Sequence, residues 1–522
     1  MREFNVTGLC VSSMHYMADT SEKIAQITQY VKQGNYFSIN RGRQYGKTTT
    51  LSLLEKGLPD EYTVIRISFE GVDDEMFDNP QTFCQGLLNQ CARYFTRRNL
   101  PGGEIWVDET VKAFDLFSDF LDKVCAEKKY VLMIDEVDKT SNNFVFLKFL
   151  GMLRDKYLDR NDGVGATFQS VILVGVYDIK NLKIKMVQAG THQLQDGEKR
   201  INSPWNIAIN FEVDMSLSVK EIASMLTEYE KDHKSGMDIQ AVAQEIRDYT
   251  SGYPYLVSRI CQRIENNLNK NWTKNGVLEA VKLILQEQST LIDDLGKNIL
   301  SNKELSDLLY DLTINGADYK FSTTDYAVGL GHTFGYIRNQ NGKAVIDNTI
   351  FELIIYEHFI TEKQRKGIRI DRVVSSDVTK GGKFNMDVCI ERFAQHYYEL
   401  YREKSKVFLE DECRMLFLTY IRPVINGAGF YHIESETRSA ERIDLIVDYG
   451  AEQFIVELKR WYGEAAHEKA YDQLCGYLES KNRNTGFLLT FDFRSDKNTG
   501  KPQSKWIEHN GKKIFDCIVG FG

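Results

Sequence analysis

At 522 residues the chain is too long for one hydrophobic core, so about three or four domains are expected. The net charge of −9 excludes a basic field over the whole protein, so any contact with nucleic acid must come from a local patch. A hydrophobic fraction of 42% with only 7 prolines is typical of ordered globular protein and argues against long disordered linkers.

Cellular location is addressed by the cysteines and by the N-terminal segment. The 9 cysteines are scattered without a CxxC pair, which indicates reduced thiols rather than a disulfide framework or a metal site. The first residues lack the apolar core of a signal peptide, and no stretch is long and apolar enough to span a bilayer. We therefore expect a cytoplasmic protein without membrane contacts.

The first part of the chain alternates predicted strands with amphipathic helices. Repeated strand–helix alternation predicts a parallel sheet covered by helices on both faces, over residues 1–217. The strand candidates are short apolar runs at 36–40, 62–69, 130–134, 170–176 and 207–213.

Beyond residue 217 the strand signal stops. Helical patterns over 218–295 predict a lid, in which Pro254 suits the first turn of a helix. Over 296–383, helical stretches precede two apolar runs joined by Asn341-Gly342, a strong hairpin signal. This order predicts a winged-helix-like middle domain, for which DNA binding and a purely structural role are both open.

A basic run covers 363–383, with Arg365, Lys366, Arg369 and Arg372 among its members. It is interpreted either as a DNA contact or as a solvated connector between domains. The region that follows, 384–522, begins with two predicted helices. Strand candidates, a further helix and a final strand candidate come after them.

A Gly-Lys-Thr triplet lies between the first strand candidate and a helix. It offers backbone amides at a helix N-terminus, a lysine for phosphate oxygens and a hydroxyl for Mg²⁺. The common GxxxxGKS/T pattern has glycine at position 41, where this chain has arginine, with glycine one place later. The predicted nucleotide-binding residues are Arg41, Gly42, Arg43, Gln44, Tyr45, Gly46, Lys47, Thr48 and Thr49.

An acidic pair ends the strand candidate at 130–134. We expect Asp135 to hold Mg²⁺ together with Thr48, and Glu136 to polarise the attacking water. Two solvated acids at an ordinary strand end would give the same local pattern. The combination with Lys47 and Thr48 favours a site for ATP and Mg²⁺.

From about residue 6 to 265 the chain resembles the bacterial AAA-ATPase-like family of P-loop proteins. The resemblance is carried by HYMADT at 15–20, NRGRQYGKTTT at 40–50, the Asp135-Glu136 strand and YTSGYPYLV at 249–257. The loop of that family typically also has arginine at the place of Arg41. The resemblance implies ATP binding and leaves hydrolysis open. Tyr177 and Asp178 stand where a sensor residue would be, but a structural role is favoured for them over a catalytic one.

Three charged residues in the last region suit metal-dependent cleavage of a phosphodiester. Asp444 precedes Glu457 by 13 residues, and Glu457-Leu458-Lys459 lies on an apolar strand candidate. Glu457 and Lys459 share one face because side chains alternate along a strand. Burying two charges there is costly unless they form a site. A hairpin between the two strands would bring Asp444 to them.

The flanking helices add further residues. Before the strands, Glu410, Asp411 and Glu412 are all open as the acid that faces the metal, and Glu412 is the one chosen. After the strands, Gln473 lies on a helix face that turns to the sheet. With the stretches at 421–423, 427–429 and 488–493, these residues resemble the PD-(D/E)XK nuclease superfamily, in the version that commonly follows an AAA-ATPase-like domain. The resemblance implies metal binding by Asp444 and Glu457 with support from Glu412. It also implies a catalytic lysine at Lys459 and a supporting role for Gln473.

The sequence thus predicts an α/β protein with four parts. They are a P-loop NTPase parallel sheet (1–217), a helical lid (218–295), a winged-helix-like domain with its connector (296–383) and an α/β restriction-endonuclease-like domain (384–522). The predicted cofactors are ATP and Mg²⁺.

The predicted function is an ATPase in which ATP binding or hydrolysis gates a Mg²⁺-dependent nuclease. DNA is the expected substrate, positioned by the winged helix, and defence or the handling of mobile elements is the expected role. One alternative is a nucleotide-gated switch that forms homo-oligomers, whose C-terminal domain binds nucleic acid or a partner without cleaving. The other is a DNA-binding regulator that acts through the winged helix alone.

Overall fold

The structure is a computed structural model, and its description covers eleven ranges of the chain. They are 2–140, 144–176, 205–315, 317–365, 378–380, 383–401, 410–425, 429–434, 443–449, 452–493 and 501–520. The chain separates into two compact units. The first comprises 1–247, 252–262 and 333–335, and the second comprises 248–251, 263–332 and 336–522. The division into four domains stays a prediction.

The first unit contains a parallel sheet flanked by helices. Its strands are β1 (Phe37–Asn40), β2 (Tyr62–Ser68), β3 (Lys129–Asp135) and β4 (Ser170–Gly175). The helices that begin in it are α1 (Ser21–Lys32), α2 (Lys47–Gly57), α3 (Pro80–Arg97), α4 (Phe114–Glu127), α5 (Phe144–Asn161), α6 (Val219–His233), α7 (Ile239–Thr250) and α8 (Pro254–Asn267).

The strand order is β1-β4-β3-β2, and every neighbouring pair is parallel. The parallel sheet predicted from strand–helix alternation is therefore confirmed. In β3 every residue after Lys129 is buried. Its apolar run is continuous rather than alternating, because helices cover both faces of a parallel sheet. Phe83, Phe117 and Phe149, from α3, α4 and α5, belong to the same core as β3.

The predicted strand at 207–213 is wrong. One isolated bridge, between Phe37 and Ile209, is the extent of its pairing with β1. Side chains make the remaining contacts: Phe211 stacks on Phe37 with ring centroids 5.9 Å apart, and the buried Trp205 donates its indole N–H to Ser38 Oγ at 2.9 Å. The apolar pattern that mimics a strand therefore comes from packing against the edge of the sheet.

The second unit contains a small sheet and a large mixed one. The helices that begin in it are α9 (Lys274–Gln286), α10 (Thr290–Ser301), α11 (Lys303–Tyr310), α12 (Tyr326–Phe334), α13 (Thr349–Arg365), α14 (Met386–Tyr401), α15 (Glu410–Ile425) and α16 (Glu464–Ser480). Its strands are β5 (Tyr319–Lys320), β6 (Ile337–Gln340), β7 (Lys343–Ile346), β8 (Thr379–Lys380), β9 (Lys383–Phe384), β10 (Gly429–Glu434), β11 (Ile443–Tyr449), β12 (Glu452–Arg460), β13 (Thr485–Asp492), β14 (Gln503–His509) and β15 (Lys512–Gly520).

The hairpin predicted at Asn341-Gly342 is confirmed, because β6 and β7 pair antiparallel on either side of these two residues. Asn341 has φ 53° and Gly342 has φ 85°. A two-residue hairpin turn needs positive φ at both central positions, which asparagine and glycine tolerate best. β5 adds a third strand to this small sheet, in the order β5-β7-β6.

The large sheet has the order β10-β11-β12-β13-β15-β14. β10, β11 and β12 are antiparallel neighbours, whereas β12, β13 and β15 run parallel. A parallel pair needs a crossover, and α16 supplies it between β12 and β13. Leu474 and Leu478 of α16 belong to one buried cluster with Ile455 and Leu488 of the sheet. The helix α16 therefore covers one face of β12 and β13.

Candidate functional site

The loop from Arg41 to Gly46 connects β1 to α2 and turns through two left-handed residues. Gln44 has φ 57° and Gly46 has φ 76° at the start of the helix. Gly42 occupies a crowded position, since a Cβ added there would lie 2.5 Å from the carbonyl oxygen of Phe334. Glycine is therefore required at position 42, while position 41 accepts arginine.

Lys47 is 7% exposed and folds back over this loop. Its ammonium donates to the carbonyl oxygens of Arg41 and Gly42, each at 2.9 Å. Burial lowers the pKa of Lys47, and the negative charges of Glu136, Asp138 and Asp135 oppose that shift. The lysine is thus a buried cation bonded to two neutral acceptors.

Thr48 and Asp135 meet where α2 begins and β3 ends. Thr48 Oγ1 donates to Asp135 Oδ2 at 2.9 Å, and the Glu136 amide donates to Asp135 Oδ1 at 3.0 Å. Ligands of parallel α/β sheets bind outside the carboxyl ends of the strands, which is where this pair lies. A hydroxyl and a carboxylate are oxygen donors of the kind Mg²⁺ binds, so the residues present fit that ion.

Glu136 has φ 55°, a left-handed conformation that is uncommon and strained for a residue with a side chain. Burial raises the pKa of its carboxyl; Lys47 opposes this shift, while Asp135 and Asp138 add to it. Asp138, which sequence reasoning missed, accepts a hydrogen bond from the Val176 amide at 2.6 Å. It therefore joins the turn after β3 to the end of β4. The signal was available in the sequence as a third acid, three residues after Asp135.

Arg41 directs its guanidinium along the edge of the sheet. It donates to the carbonyl oxygens of Asn40 at 2.9 Å and Val213 at 3.4 Å, and its Cζ lies 5.8 Å from the Phe211 ring centroid. These contacts make Arg41 part of the packing around 207–213.

The other predicted loop residues also make contacts within the first unit. The Tyr253 hydroxyl donates to the carbonyl of Arg43, and the Tyr45 ring lies 4.7 Å from that of Tyr253. Thr49 Oγ1 accepts a hydrogen bond from the Cys10 amide at 3.2 Å. Tyr253, the residue before α8, thus contacts the loop, and the N-terminal segment contacts the first turn of α2.

A polar cleft of about 920 Å³ borders Thr48, Asp135 and Glu136. On its wall, Arg66 donates to the Thr48 carbonyl at 3.4 Å and pairs with Glu55 at 3.0 Å. Glu55 was not predicted as a functional residue, and its position on α2 gave no signal of a partner on β2.

Glu457 and Lys459 in the second unit form a close ion pair. Lys459 Nζ lies 2.7 Å from Glu457 Oε1, with the glutamate side chain 0% exposed and the lysine side chain 27% exposed. The hairpin predicted between the strands is confirmed, since β11 and β12 pair antiparallel with Leu445 opposite Val456. The backbone positions 444 and 457 come next along the two strands. The side chains of Asp444 and Glu412 lie outside the described part of the structure.

The helix after these strands carries Gln473, whose amide donates to the Tyr477 hydroxyl at 2.8 Å. A further buried acid, Asp516, lies on the same face of the sheet as Glu457, because both are register partners of Leu488. Tyr471 donates its hydroxyl to Asp516 Oδ2 at 2.8 Å. Asp516 was missed, and its position became visible only with the strand order.

Other predictions fall outside the described ranges, among them Tyr177, Asp178 and the part of the basic run at 366–377. Within those ranges, no three His, Cys, Asp or Glu side chains are grouped to hold a metal ion. None of the helices described there is long and apolar enough to cross a membrane.

No curated protein sequence matches the chain. Among solved structures, it is similar to a Walker-type ATPase of Pyrococcus abyssi, with 10% identity, 67% of this chain and 99% of that chain covered, and a TM-score of 0.45. It is also similar to the ORC2 protein of Aeropyrum pernix in its ADPNP-ADP complexes (12% identity, 69% and 98% covered, TM-score 0.34) and to RuvB of Thermotoga maritima (12%, 63% and 92%, 0.33).

A family model described as an AAA-like domain matches residues 6–309, which is more than half of the chain. The matched range contains the loop from Arg41 to Gly46, Asp135 and Glu136, and it ends before the large mixed sheet. The chain therefore belongs to the family of AAA-like domain proteins.

Proposed function

We propose that the first unit binds ATP with Mg²⁺ and hydrolyses it. The observation that carries this proposal is the 2.9 Å hydrogen bond from Thr48 to Asp135, made beside the buried ammonium of Lys47. Membership in the AAA-like family supports it.

Each residue then has one role. Lys47 exchanges its two carbonyl acceptors for phosphate oxygens, and Thr48 with Asp135 would hold Mg²⁺, which supplies positive charge against the phosphates when bound. Glu136 accepts the proton of the attacking water. Because burial raises its pKa, its carboxylate is a stronger base than an exposed glutamate.

Calorimetric titration with Mg²⁺–ATP tests this site in Thr48→Ala. Loss of the hydroxyl should weaken Mg²⁺-dependent binding while leaving metal-free binding close to that of the parent. Thr50→Ala is the matched control on the same helix, because the Thr50 hydroxyl donates to the carbonyl of Gly46, the residue before α2, at 3.1 Å. Equal Mg²⁺ dependence in the parent and in Thr48→Ala would refute the assignment.

For the second unit we propose a Mg²⁺-dependent nuclease that cleaves nucleic acid, with DNA as the expected substrate. The supporting observation is the fully buried Glu457 paired with Lys459 on β12, one position beyond Val456, which pairs with Leu445 of β11. A buried charge is costly and is retained most often where it has a function. The order α15-β10-β11-β12-α16-β13 is also that of a restriction-endonuclease-like core.

In this proposal Glu457 and Asp444 would hold Mg²⁺, whose charge would stabilise the phosphorane-like transition state. Lys459 orients the attacking water. Gln473 has a supporting role on α16, where its amide donates to the Tyr477 hydroxyl. Glu412 remains a proposed helper on α15.

The test is incubation of the full chain with single- and double-stranded DNA and RNA, with Mg²⁺ and ATP each present or absent. Glu457→Gln should abolish cleavage, whereas Glu452→Gln, on the exposed start of the same strand, should cleave like the parent. A parent chain that cleaves none of these substrates would refute the nuclease. It would favour the switch whose C-terminal domain only binds.

A further inference from the structure

The chain that leaves β12 after Lys459 presents an aromatic side chain to solvent. Tyr462 is 71% exposed, more than most large apolar side chains among the described residues. The Arg460 guanidinium carbon lies 5.6 Å from the Tyr462 ring centroid and 5.3 Å from that of Phe493, which follows β13. Arg460, Tyr462 and Phe493 thus form a cation–aromatic cluster at the carboxyl ends of two neighbouring parallel strands. We call these three residues the stacking cluster.

The charge of the cluster is positive. Over the ranges that the structure describes, Arg460 contacts two aromatic rings and makes no ion pair. A guanidinium without a carboxylate partner attracts phosphate, and the exposed faces of an arginine and a tyrosine accept the face of a base. A purely apolar partner would leave this charge without compensation.

We propose that the stacking cluster binds an unpaired base of the strand cut at Glu457 and Lys459, so that the substrate is single-stranded nucleic acid or a duplex with an unpaired segment at the cut. This inference rests on the nuclease proposed above. The bases of an intact duplex stack on each other and have no free face, whereas an unpaired base stacks on Tyr462.

The spacing agrees with a role close to the cut. Tyr462 follows Lys459 by three positions, so their Cα atoms are at most about 11 Å apart along an extended chain. Stacked nucleotides repeat every ~3.4 Å along a strand. Arg460 lies on the opposite face of β12 from Lys459, so the bound strand passes around the carboxyl end of β12. The base held by Tyr462 therefore lies a few nucleotides from the phosphate at Lys459, and the cluster selects substrates that are unpaired in this interval.

Binding of labelled 20-nucleotide strands to the full chain, with Ca²⁺ in place of Mg²⁺, tests the cluster without cleavage. Tyr462→Ala should weaken single-strand binding by about 5- to 150-fold, which corresponds to about 1–3 kcal/mol per stacked base. Tyr462→Phe keeps the ring and should bind within about twofold of the parent. Duplex affinity should change little in either variant.

Trp506 offers a matched control in the same domain. It is 40% exposed on β14, and Lys513 Nζ lies 4.5 Å from its ring centroid, so it too combines an aromatic ring with a cation. β14 is the edge strand on the far side of β13 and β15 from β12. Trp506→Ala should bind single strands like the parent.

Abasic substitution identifies the contact directly. Removing one base at a time should reveal a position that weakens binding to the parent and has no further effect in Tyr462→Ala. DNA and RNA strands, assayed separately, show which sugar the site accepts. The proposal is overturned if Tyr462→Phe binds as weakly as Tyr462→Ala, if single strands and duplexes lose affinity equally, or if no position is sensitive.

The nuclease proposal and the stacking-cluster proposal are refuted by different results. If Glu457→Gln stops cleavage while Tyr462→Ala binds single strands like the parent, the nuclease stands and the cluster is refuted. If binding depends on Tyr462 but the parent cleaves nothing, the cluster stands as a binding site and the nuclease is refuted. A parent chain that binds no nucleic acid refutes both.

Discussion

Alanine at position 459 should destabilise the second unit far more than glutamine at position 457. Lys459→Ala removes the ammonium that lies 2.7 Å from Glu457 and leaves a carboxylate with 0% exposure. Glu457→Gln removes the charge instead, and Lys459, 27% exposed, can turn its ammonium to water. The two variants break the same ion pair but leave opposite partners behind.

The expected magnitude follows from this asymmetry. Removing one partner of a buried ion pair costs about 3–5 kcal/mol of stability. Because Lys459 is partly exposed, we expect Lys459→Ala to cost about 3 kcal/mol. The glutamine variant should cost about 1 kcal/mol, the contribution of an ordinary hydrogen bond. The double variant Glu457→Gln/Lys459→Met should be more stable than Lys459→Ala alone, because no charge then remains buried.

Hydrogen exchange measured by mass spectrometry on peptides covering β11 and β12 reports this local stability. A global unfolding curve would mix the two units, whereas exchange reads the opening of these strands alone. Protection should fall about 100-fold or more in Lys459→Ala and about 5-fold in Glu457→Gln. All three variants should lack cleavage, and the double variant shows that the loss is chemical rather than due to unfolding. Equal loss of protection in the two single variants would refute the reasoning from burial.

Three further outcomes are expected. Lys47→Ala should weaken ATP binding by about 10- to 150-fold by calorimetry, since it removes a charge-assisted hydrogen bond worth about 1.5–3 kcal/mol; unchanged affinity would contradict the loop assignment. Glu136→Gln should bind ATP but release phosphate about 10²- to 10⁴-fold more slowly in single turnovers; a parent-like rate would leave Glu136 as a strand-end acid. Burial raises the pKa of Cys84, Cys125 and Cys517 to about 12. A chromogenic thiol reagent at pH 8 should therefore modify few thiols in the native chain, and all 9 after denaturation without reductant. Modification of fewer than 9 thiols in the denatured chain would reveal disulfides.

Much of the first unit was predictable because its signals are local. The apolar run before Asp135 and the glycine before Lys47 each depend on neighbours within a few residues, and the structure forms β3 and α2 there. The hairpin at Asn341-Gly342 was equally local, since two residues that tolerate positive φ determine the turn.

Contacts between distant residues were not predictable in this way. The requirement for glycine at position 42 comes from Phe334, almost 300 residues later in the chain. The strand predicted at 207–213 was wrong for a related reason. Phe211 follows the alternating pattern of a strand, but it packs on Phe37 through its ring. Propensity cannot distinguish a strand from an irregular segment that buries the same side chains.

The candidate site in the second unit was partly predictable from the sequence. Glu457 and Lys459 were found because two charges on one face of an apolar strand conflict with burial. Asp516 gave no such signal in the sequence. Its contact with Tyr471 and its place on the same face of the sheet as Glu457 depend on the order of β12, β13 and β15. Sequence therefore located the motif, and the sheet topology located its neighbours.

In the functions proposed above both sites would hold Mg²⁺, and they differ in what satisfies their buried charges. Asp135 bonds a hydroxyl and an amide, both neutral, whereas Glu457 is paired with the ammonium of Lys459. A cation approaching Glu457 competes with that ammonium, and a phosphate drawn to Lys459 would relieve the competition. In an Asp135→Asn background, which impairs the first site, we therefore expect Mg²⁺ to bind the chain more tightly with a non-cleavable strand than without it. Titration calorimetry with and without a phosphorothioate strand measures the shift, and an affinity for Mg²⁺ that the strand does not change would exclude Lys459 as the group that links metal to substrate.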